Sequence, residues 1–299
     1  LEKQDLKNEA WKKVGTKFAH ITSVHPCYNE DAHHKNARIH LPVAPKCNIQ
    51  CRFCSRGLDK CANRPGAYSH LLSPEGAVER VREAKKKYRT LRVVGIAGPG
   101  EPLFNLETFE TLSMVDKAFP KLYKCIATNG LLLPKKVDIL KSNNVGSVTV
   151  TVNGLDPDVV SQIVSWVVYE GKLYKDERGA EKLIENQLEG IEKAVNAGMV
   201  VKVNTVLIPS INMDEVEMIA KTASELGAWI MNIIPLIPLN DFSDMEPPGC
   251  DDLKRARQMA EKHINQFRLC KQCRADSCGV PGKEDHSIPR TCASEYFHG

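Results

Sequence analysis

Long apolar runs are missing from this sequence: no stretch approaches the roughly 20 apolar residues that a membrane span needs, so no membrane association is expected. Leu1 to Gly15 is charged and polar and has no signal-peptide core, which leads us to expect a cytoplasmic protein. A surplus of one charge is also lacking. With 41 basic and 37 acidic residues the net charge is +4, and nothing in that balance argues for nucleic acid. Cysteine, by contrast, is abundant. Eleven cysteines fall into a cluster at 47–54, a set at 27, 61 and 125, and a C-terminal set at 250, 270, 273, 278 and 292. In a reducing compartment such an excess points to metal rather than to disulfides. The 299 residues, 42% of them hydrophobic, suffice for one large α/β barrel or two modest domains.

The most informative stretch is Cys47-Asn48-Ile49-Gln50-Cys51-Arg52-Phe53-Cys54. A structural zinc site pairs two C-x2-C knuckles or adds two histidines, and the third cysteine here breaks that pattern. A disulfide framework belongs to small secreted chains. Three thiolates on one short loop suit an iron–sulfur cubane and leave its fourth iron open for chemistry. C-x3-C-x2-C after a strand resembles the signature of radical S-adenosylmethionine (SAM) enzymes. That resemblance implies that the open iron chelates SAM, and that one electron from the cluster splits it into methionine and a 5′-deoxyadenosyl radical.

Apolar runs predict strands at 39–45, 91–97, 123–128, 147–152, 200–207 and 228–234. Helices are expected from the Ser73-Pro74-Glu75 cap and at 106–118, 134–141, 181–196 and 251–267, with Asn212 and Glu215 reading as a capping box for one that ends at Gly227. Residues 167–174 read as a hairpin inserted in a βα connection. Alternating strands and helices imply parallel βαβ units. The expected fold is α/β, a partial (βα)6 TIM-type barrel of the radical SAM class. It carries cysteine-rich extensions at both ends: 1–38 before the barrel at 39–249, and a helix and cluster-binding tail at 250–299.

Strand parity then sorts the side chains. Val148, Val150 and Val152 form a row for the helices, which turns Thr149, Thr151 and Asn153 into the lumen. Val201, Val203 and Leu207 face out, so Lys202, Asn204 and Ile208 face in, and the same logic sends His40 and Cys125 inward. Buried polar groups need partners, and this convergence points to a polar ligand held by Thr151, Asn153, Asn204 and Ile208. Mutual hydrogen bonding inside the barrel is the competing reading for Thr149 and Lys202.

Gly98-Pro99-Gly100-Glu101-Pro102 closes the second strand and resembles the G-G-E-P motif of radical SAM proteins. Glycine lets backbone approach the ligand closely, and a carboxylate suits the methionine ammonium of SAM; Gly100 and Glu101 are assigned to it. Cys270 and Cys273 form a further C-x2-C, with Cys278 five residues on. A zinc knuckle or redox pair is the alternative to an auxiliary cluster there.

His25-Pro26-Cys27-Tyr28, His33-His34, the run from Ala37-Arg38-Ile39-His40 into Cys47, then Arg64-Pro65-Gly66, Gly98 to Leu103 and Cys273-Arg274-Ala275-Asp276 together resemble the NifB family, radical SAM proteins of nitrogenase cofactor biosynthesis. Similarity spans about 20–280, with no NifX-like domain after it, so the chain resembles the family's stand-alone form. The resemblance implies a SAM-binding 4Fe-4S cluster on Cys47, Cys51 and Cys54, catalytic together with Glu101, and two auxiliary 4Fe-4S clusters, K1 and K2. It makes Cys270 and Cys273 one ligand pair and Cys27, Cys61 and Cys125 further candidates with a histidine nitrogen, His40 by parity and His25 second. The implied reaction is methyl transfer from one SAM to a cluster sulfide, hydrogen abstraction by a radical from a second, and fusion around a carbide into an eight-iron precursor. Iron–sulfur donors, a ferredoxin-like electron donor and a downstream carrier are the implied partners.

Three features depart from the pattern. The Cys61–Gly66 segment is two residues shorter than the family's, Cys278 is an additional candidate ligand, and Cys250 and Cys292 match nothing and read as structural or free. Competing functions are another radical SAM enzyme with auxiliary clusters, of molybdopterin-precursor or peptide-maturase type, and a non-catalytic iron–sulfur scaffold.

Overall fold

The computed structural model describes residues 18–283; the polar lead-in at 1–15 and Cys292 lie outside them. Twelve strands are assigned among these residues, numbered here in chain order: β1 Ala37–His40, β2 Ile49–Cys51, β3 Gly57–Leu58, β4 Ala67–Tyr68, β5 Leu91–Ile96, β6 Tyr123–Thr128, β7 Val145–Thr151, β8 Val164–Tyr169, β9 Lys172–Tyr174, β10 Val200–Leu207, β11 Ile230–Pro235 and β12 Cys278–Gly279. The main sheet runs β11-β10-β7-β6-β5-β1-β12. Its first six strands are mutually parallel, whereas β12 pairs antiparallel with β1. The six strands expected from the apolar runs are these six, in a (βα)6 arrangement whose loops at the strand C-termini face one mouth.

Local chemistry accounts for the elements. Ser73 accepts the Gly76 N–H and Pro74 opens the helix Pro74–Lys87, which buries Ala77, Val78, Val81 and Ala84 on one stripe. Val148, Val150 and Val152 are buried in the core between sheet and helices, joined by Val201, Val203 and Leu207 of β10. Burial of that apolar row fixes which face of each strand turns to the lumen. Lys124 on β6 breaks the apolar rule on the helix side: it is buried and ion-paired with Asp116 of helix Leu106–Ala118.

Three expectations are corrected. The helix at the C-terminal end is Cys250–Glu261 and stops short of 267, because Gln266 bridges to Met231 and the Phe267 N–H donates to the Met231 carbonyl at 2.8 Å. Asn212 and Glu215 form no capping box for helix Val216–Glu225. Glu215 accepts the Leu155 and Asp156 N–H groups, and buried Asn212 donates to the Asn153 and Val206 carbonyls. Cys278 is buried on β12 within the main core.

The hairpin expected at 167–174 is β8 and β9, and it reaches further than an insertion. β2, which carries the middle of the cysteine loop, pairs antiparallel with β8, placing Ile49 opposite Val167 and Gln50 opposite Trp166.

Candidate functional site

A cavity of about 350 Å³ fills the lumen, lined at the strand ends by Cys47, Cys51 and Cys54. The loop bearing them is tied down on both sides. The Arg52 N–H donates to the Ile163 carbonyl and the Val168 N–H to that of Asn48. Gln50 Nε2 closes the turn onto the Cys51 and Cys54 carbonyls at 2.9 and 3.1 Å, and Arg56 holds the other end of that amide. On the far side Asn129 Nδ2 donates to Asn48 Oδ1 at 2.8 Å and reaches Cys47 Sγ at 4.0 Å. Burial pushes the Cys47 thiol up to about 11 and Cys51 well above its ordinary value. Such thiols stay protonated until a metal claims them, and binding then releases protons.

Gly100 meets the loop backbone itself. Its N–H donates to the Ala44 carbonyl, and a Cβ there would stand 2.3 Å from the Lys46 carbonyl oxygen. The close approach is thus to the segment entering the cysteine loop. Glu101 is buried; its carboxylate accepts the Leu103 N–H at 3.0 Å, the Thr128 hydroxyl at 2.5 Å and the Asn129 N–H at 2.7 Å. Burial raises its pKa to about 7 against those hydrogen bonds. Glu101 therefore joins the β5 and β6 ends and fixes Asn129 beside the cysteine loop, while still lining the cavity.

Thr149, Thr151, Asn153, Lys202 and Asn204 also line the cavity. Asn153 Oδ1 accepts the Val206 N–H at 2.9 Å, and Asn204 Oδ1 accepts from Asn232 at 3.1 Å, so each side-chain oxygen already has a protein partner. Ile208 is not among the lining residues. It is the residue before helix Pro209–Asn212, packed in an apolar cluster, and Val206 occupies the inward position instead.

A second group of donors lines the same cavity: Cys27, His25, His40, Cys125, Cys270 and Cys273. His40, Gly95 and Cys125 lie side by side across β1, β5 and β6. Gly95 makes room for both neighbours, since a Cβ there would sit 2.9 Å from Cys125 Sγ and 3.0 Å from His40 Cδ2. The two histidines differ in tautomer. His40 Nδ1 is 3.1 Å from the Arg274 carbonyl, which only accepts, so the proton is on Nδ1 and Nε2 keeps its lone pair. His25 Nδ1 accepts the Cys27 N–H at 3.0 Å, so its proton is on Nε2, which is buried without a partner. A carbonyl behind one ring nitrogen and a bare nitrogen ahead is the arrangement of a metal-binding histidine. Burial lowers His40 to about 4, keeping it neutral as a ligand must be. Cys61 stands apart: it is exposed, does not line the cavity and is disulfide-bonded.

Among the described residues, no group of three His, Cys, Asp or Glu side chains is arranged around a single metal ion. A cubane spreads its ligands over separate corners, and two sets of soft donors on one lumen have the composition clusters take.

A model of the radical SAM superfamily matches residues 41–223. The FeMo cofactor biosynthesis protein NifB of Methanocaldococcus jannaschii is 52% identical over 271 residues, which cover 90% of each chain. The chain belongs to the NifB family of radical SAM enzymes. The NifB of Bradyrhizobium diazoefficiens is 40% identical over 96% of this chain, which spans 57% of that protein. Among solved structures, anSMEcpe with bound AdoMet shares the fold at a TM-score of 0.50, with 18% identity over 73% of this chain and 57% of that one. Family membership implies a 4Fe-4S cluster and SAM as substrate, and the half-buried thiols of the 47–54 loop fit that cluster. No helix of the described residues is long and apolar enough to cross a membrane.

Sequence reasoning missed several residues of this NifB-family site. Arg38 shares the strand parity of His40, and that signal was available. Arg56, Asn129 and Gln187 come from loops and a helix, where parity gives no direction; Gln187 reaches in from helix Glu177–Asn196 to the Asn129 and Thr151 carbonyls, 2.8 Å from each. Arg274 and Asp276, singled out as a motif, are buried and ion-paired at 2.8 Å, and hold the 59–69 segment through the Asp59 carbonyl and the Ser69 N–H.

Proposed function

We propose that this chain carries out the carbide-forming step of FeMo-cofactor assembly, in which two four-iron clusters are methylated and fused into an eight-iron precursor. One observation carries the reading: a single lumen is lined both by the thiols of the 47–54 loop and by Cys27, His40, Cys125, Cys270 and Cys273. A radical SAM enzyme without auxiliary iron–sulfur clusters has no need of that second set of soft ligands.

When bound, the cluster at Cys47, Cys51 and Cys54 supplies the electron that cleaves SAM. The protein's own part is placement. Gly100 and Glu101 lock the loop and the β5–β6 ends together, and Asn129 steadies Cys47. Thr151, Asn153 and Asn204 present polar edges toward SAM. The second set holds the substrate clusters, with His40 offering a bare Nε2. A nitrogen ligand gives way more readily than a thiolate when two clusters merge. Iron–sulfur donor proteins, a ferredoxin-type electron donor and a carrier for the product are the partners this role requires.

The test is anaerobic iron quantification with electron paramagnetic resonance, before and after adding SAM labelled in its methyl carbon. We expect iron beyond one cluster, formation of 5′-deoxyadenosine, and label in an iron–sulfur product. A reduced, iron-replete preparation that leaves SAM intact ends the enzymatic reading and leaves a scaffold. Label confined to an organic product points to another radical SAM reaction.

A further inference from the structure

Two buried cations of the lumen have no carboxylate partner among the described residues. Arg38 is 1% exposed on β1, on the same face as His40. Its guanidinium donates to the Gly279 carbonyl at 2.9 Å and to Cys273 Sγ at 2.7 Å, and its Nε–H is buried with no partner. Lys202 is 6% exposed on β10, with its ammonium 5.3 Å from the Tyr28 ring centroid and 5.5 Å from that of Phe267. Both line the cavity beside Cys27, Cys125 and Cys273. Two desolvated positive charges and the orphaned Nε2–H of His25 face one group of thiols.

A buried cation is unfavourable unless an anion compensates it. Among the described residues neither cation has a carboxylate to compensate it, and free ferrous or zinc ions would add repulsion. A thiolate-ligated iron–sulfur cluster does supply the anion, with sulfides that accept N–H hydrogen bonds. The arginines at the other end of the lumen are placed differently: Arg56 donates to Gln50 and Arg64 to the Ser55 carbonyl.

We infer that Arg38 and Lys202 form a cationic seat that retains an anionic iron–sulfur substrate at the Cys27, Cys125 and Cys273 end of the lumen and raises its reduction potential. Arg38 acts through N–H donation to sulfur, Lys202 through charge held on two aromatic faces. Charge and hydrogen bonds at sulfur are among the factors that set cluster potentials. The inference rests on the functional reading above and adds the residues that select the charge of the bound species.

The test reconstitutes the wild type, Lys202→Met, Arg38→Lys and Arg38→Gln anaerobically with iron and sulfide. It reads iron per chain and follows a redox titration by electron paramagnetic resonance, with the SAM-cluster signal as internal reference. Lys202→Met should make the lumen cluster harder to reduce by roughly tenfold, about 59 mV for one electron. Arg38→Gln should lose lumen-cluster iron, and Arg38→Lys should restore most of it. Lys202→Met preserves side-chain length and apolar packing, so its result stands even if Arg38→Gln fails to fold. Variants with wild-type iron and wild-type potential overturn the inference while leaving the wild type's extra cluster in place. A shift confined to the SAM-cluster signal overturns it too. A wild type that binds only one cluster per chain removes the functional reading along with it.

Discussion

At the scale of single residues, the site depends on which ring nitrogen carries a proton. The Arg274 carbonyl fixes the His40 proton on Nδ1, while the Cys27 N–H fixes that of His25 on Nε2. His40→Ala should therefore lose lumen-cluster iron and regain part of it in added imidazole, whereas His25→Ala should lose less and gain nothing from imidazole. Iron quantification with the cluster's paramagnetic signal distinguishes them, and the reverse ranking would assign the ligand to His25. Strand parity made His40 and Cys125 legible, because the apolar Ile39 and Ile126 beside them belong to the opposite, core-facing side of their strands. It failed at Ile208, where the chain has left β10 for the next helix and alternation no longer holds. Tautomers were beyond the sequence, since the carbonyl behind His40 comes from a residue 234 positions away.

Among the elements, the β8–β9 hairpin matters more than its length suggests. The sequence marked it as an interruption of the βα rhythm, and only the three-stranded β2-β8-β9 sheet shows that it carries the cysteine loop. Val167 is buried opposite Ile49, so Val167→Asp should loosen the loop and hasten loss of the SAM cluster. A chelator time course read at the cluster's visible absorbance measures it, with unchanged decay arguing against the anchor. On the helix side, buried Lys124 compensates Asp116. Burial alone would raise the Asp116 carboxyl, yet the hydrogen bonds from Lys124 and Asn144 hold it below its ordinary value. A depressed carboxylate contributes stability above its unfolded pKa, and that contribution fades as pH falls through the folded value. Asp116→Ala should cost about 3 kcal/mol at neutral pH by leaving Lys124 buried and unpaired, and should flatten the acid limb of the stability curve. Lys124→Met in the same chain should recover most of the loss. Denaturant melts between neutral pH and pH 3 follow both effects. Sequence alone offered no hint of this pair, because Lys124 reads as an exposed charge on an otherwise regular strand.

For the whole molecule, the question is whether one lumen holds two independent sets of ligands. The thiols at 47–54 depend on β2, β8 and the β5–β6 ends. The others come from the segment before β1, from β1 and β6 themselves, and from the tail, which β12 fastens to the sheet and the Arg274–Asp276 pair to the 59–69 segment. Residues without shared partners contribute nearly independently. Replacing Cys47, Cys51 and Cys54 together by alanine should thus abolish SAM cleavage while the lumen clusters keep their iron. Replacing Cys27, Cys270 and Cys273 should remove lumen iron and leave the SAM-bound cluster signal. Iron lost by the first variant and iron lost by the second should then sum to the wild-type content. A first variant stripped of all iron would mean that the substrate clusters are held only when the SAM cluster is present, and the two-set description of the lumen would give way to a single cooperative site.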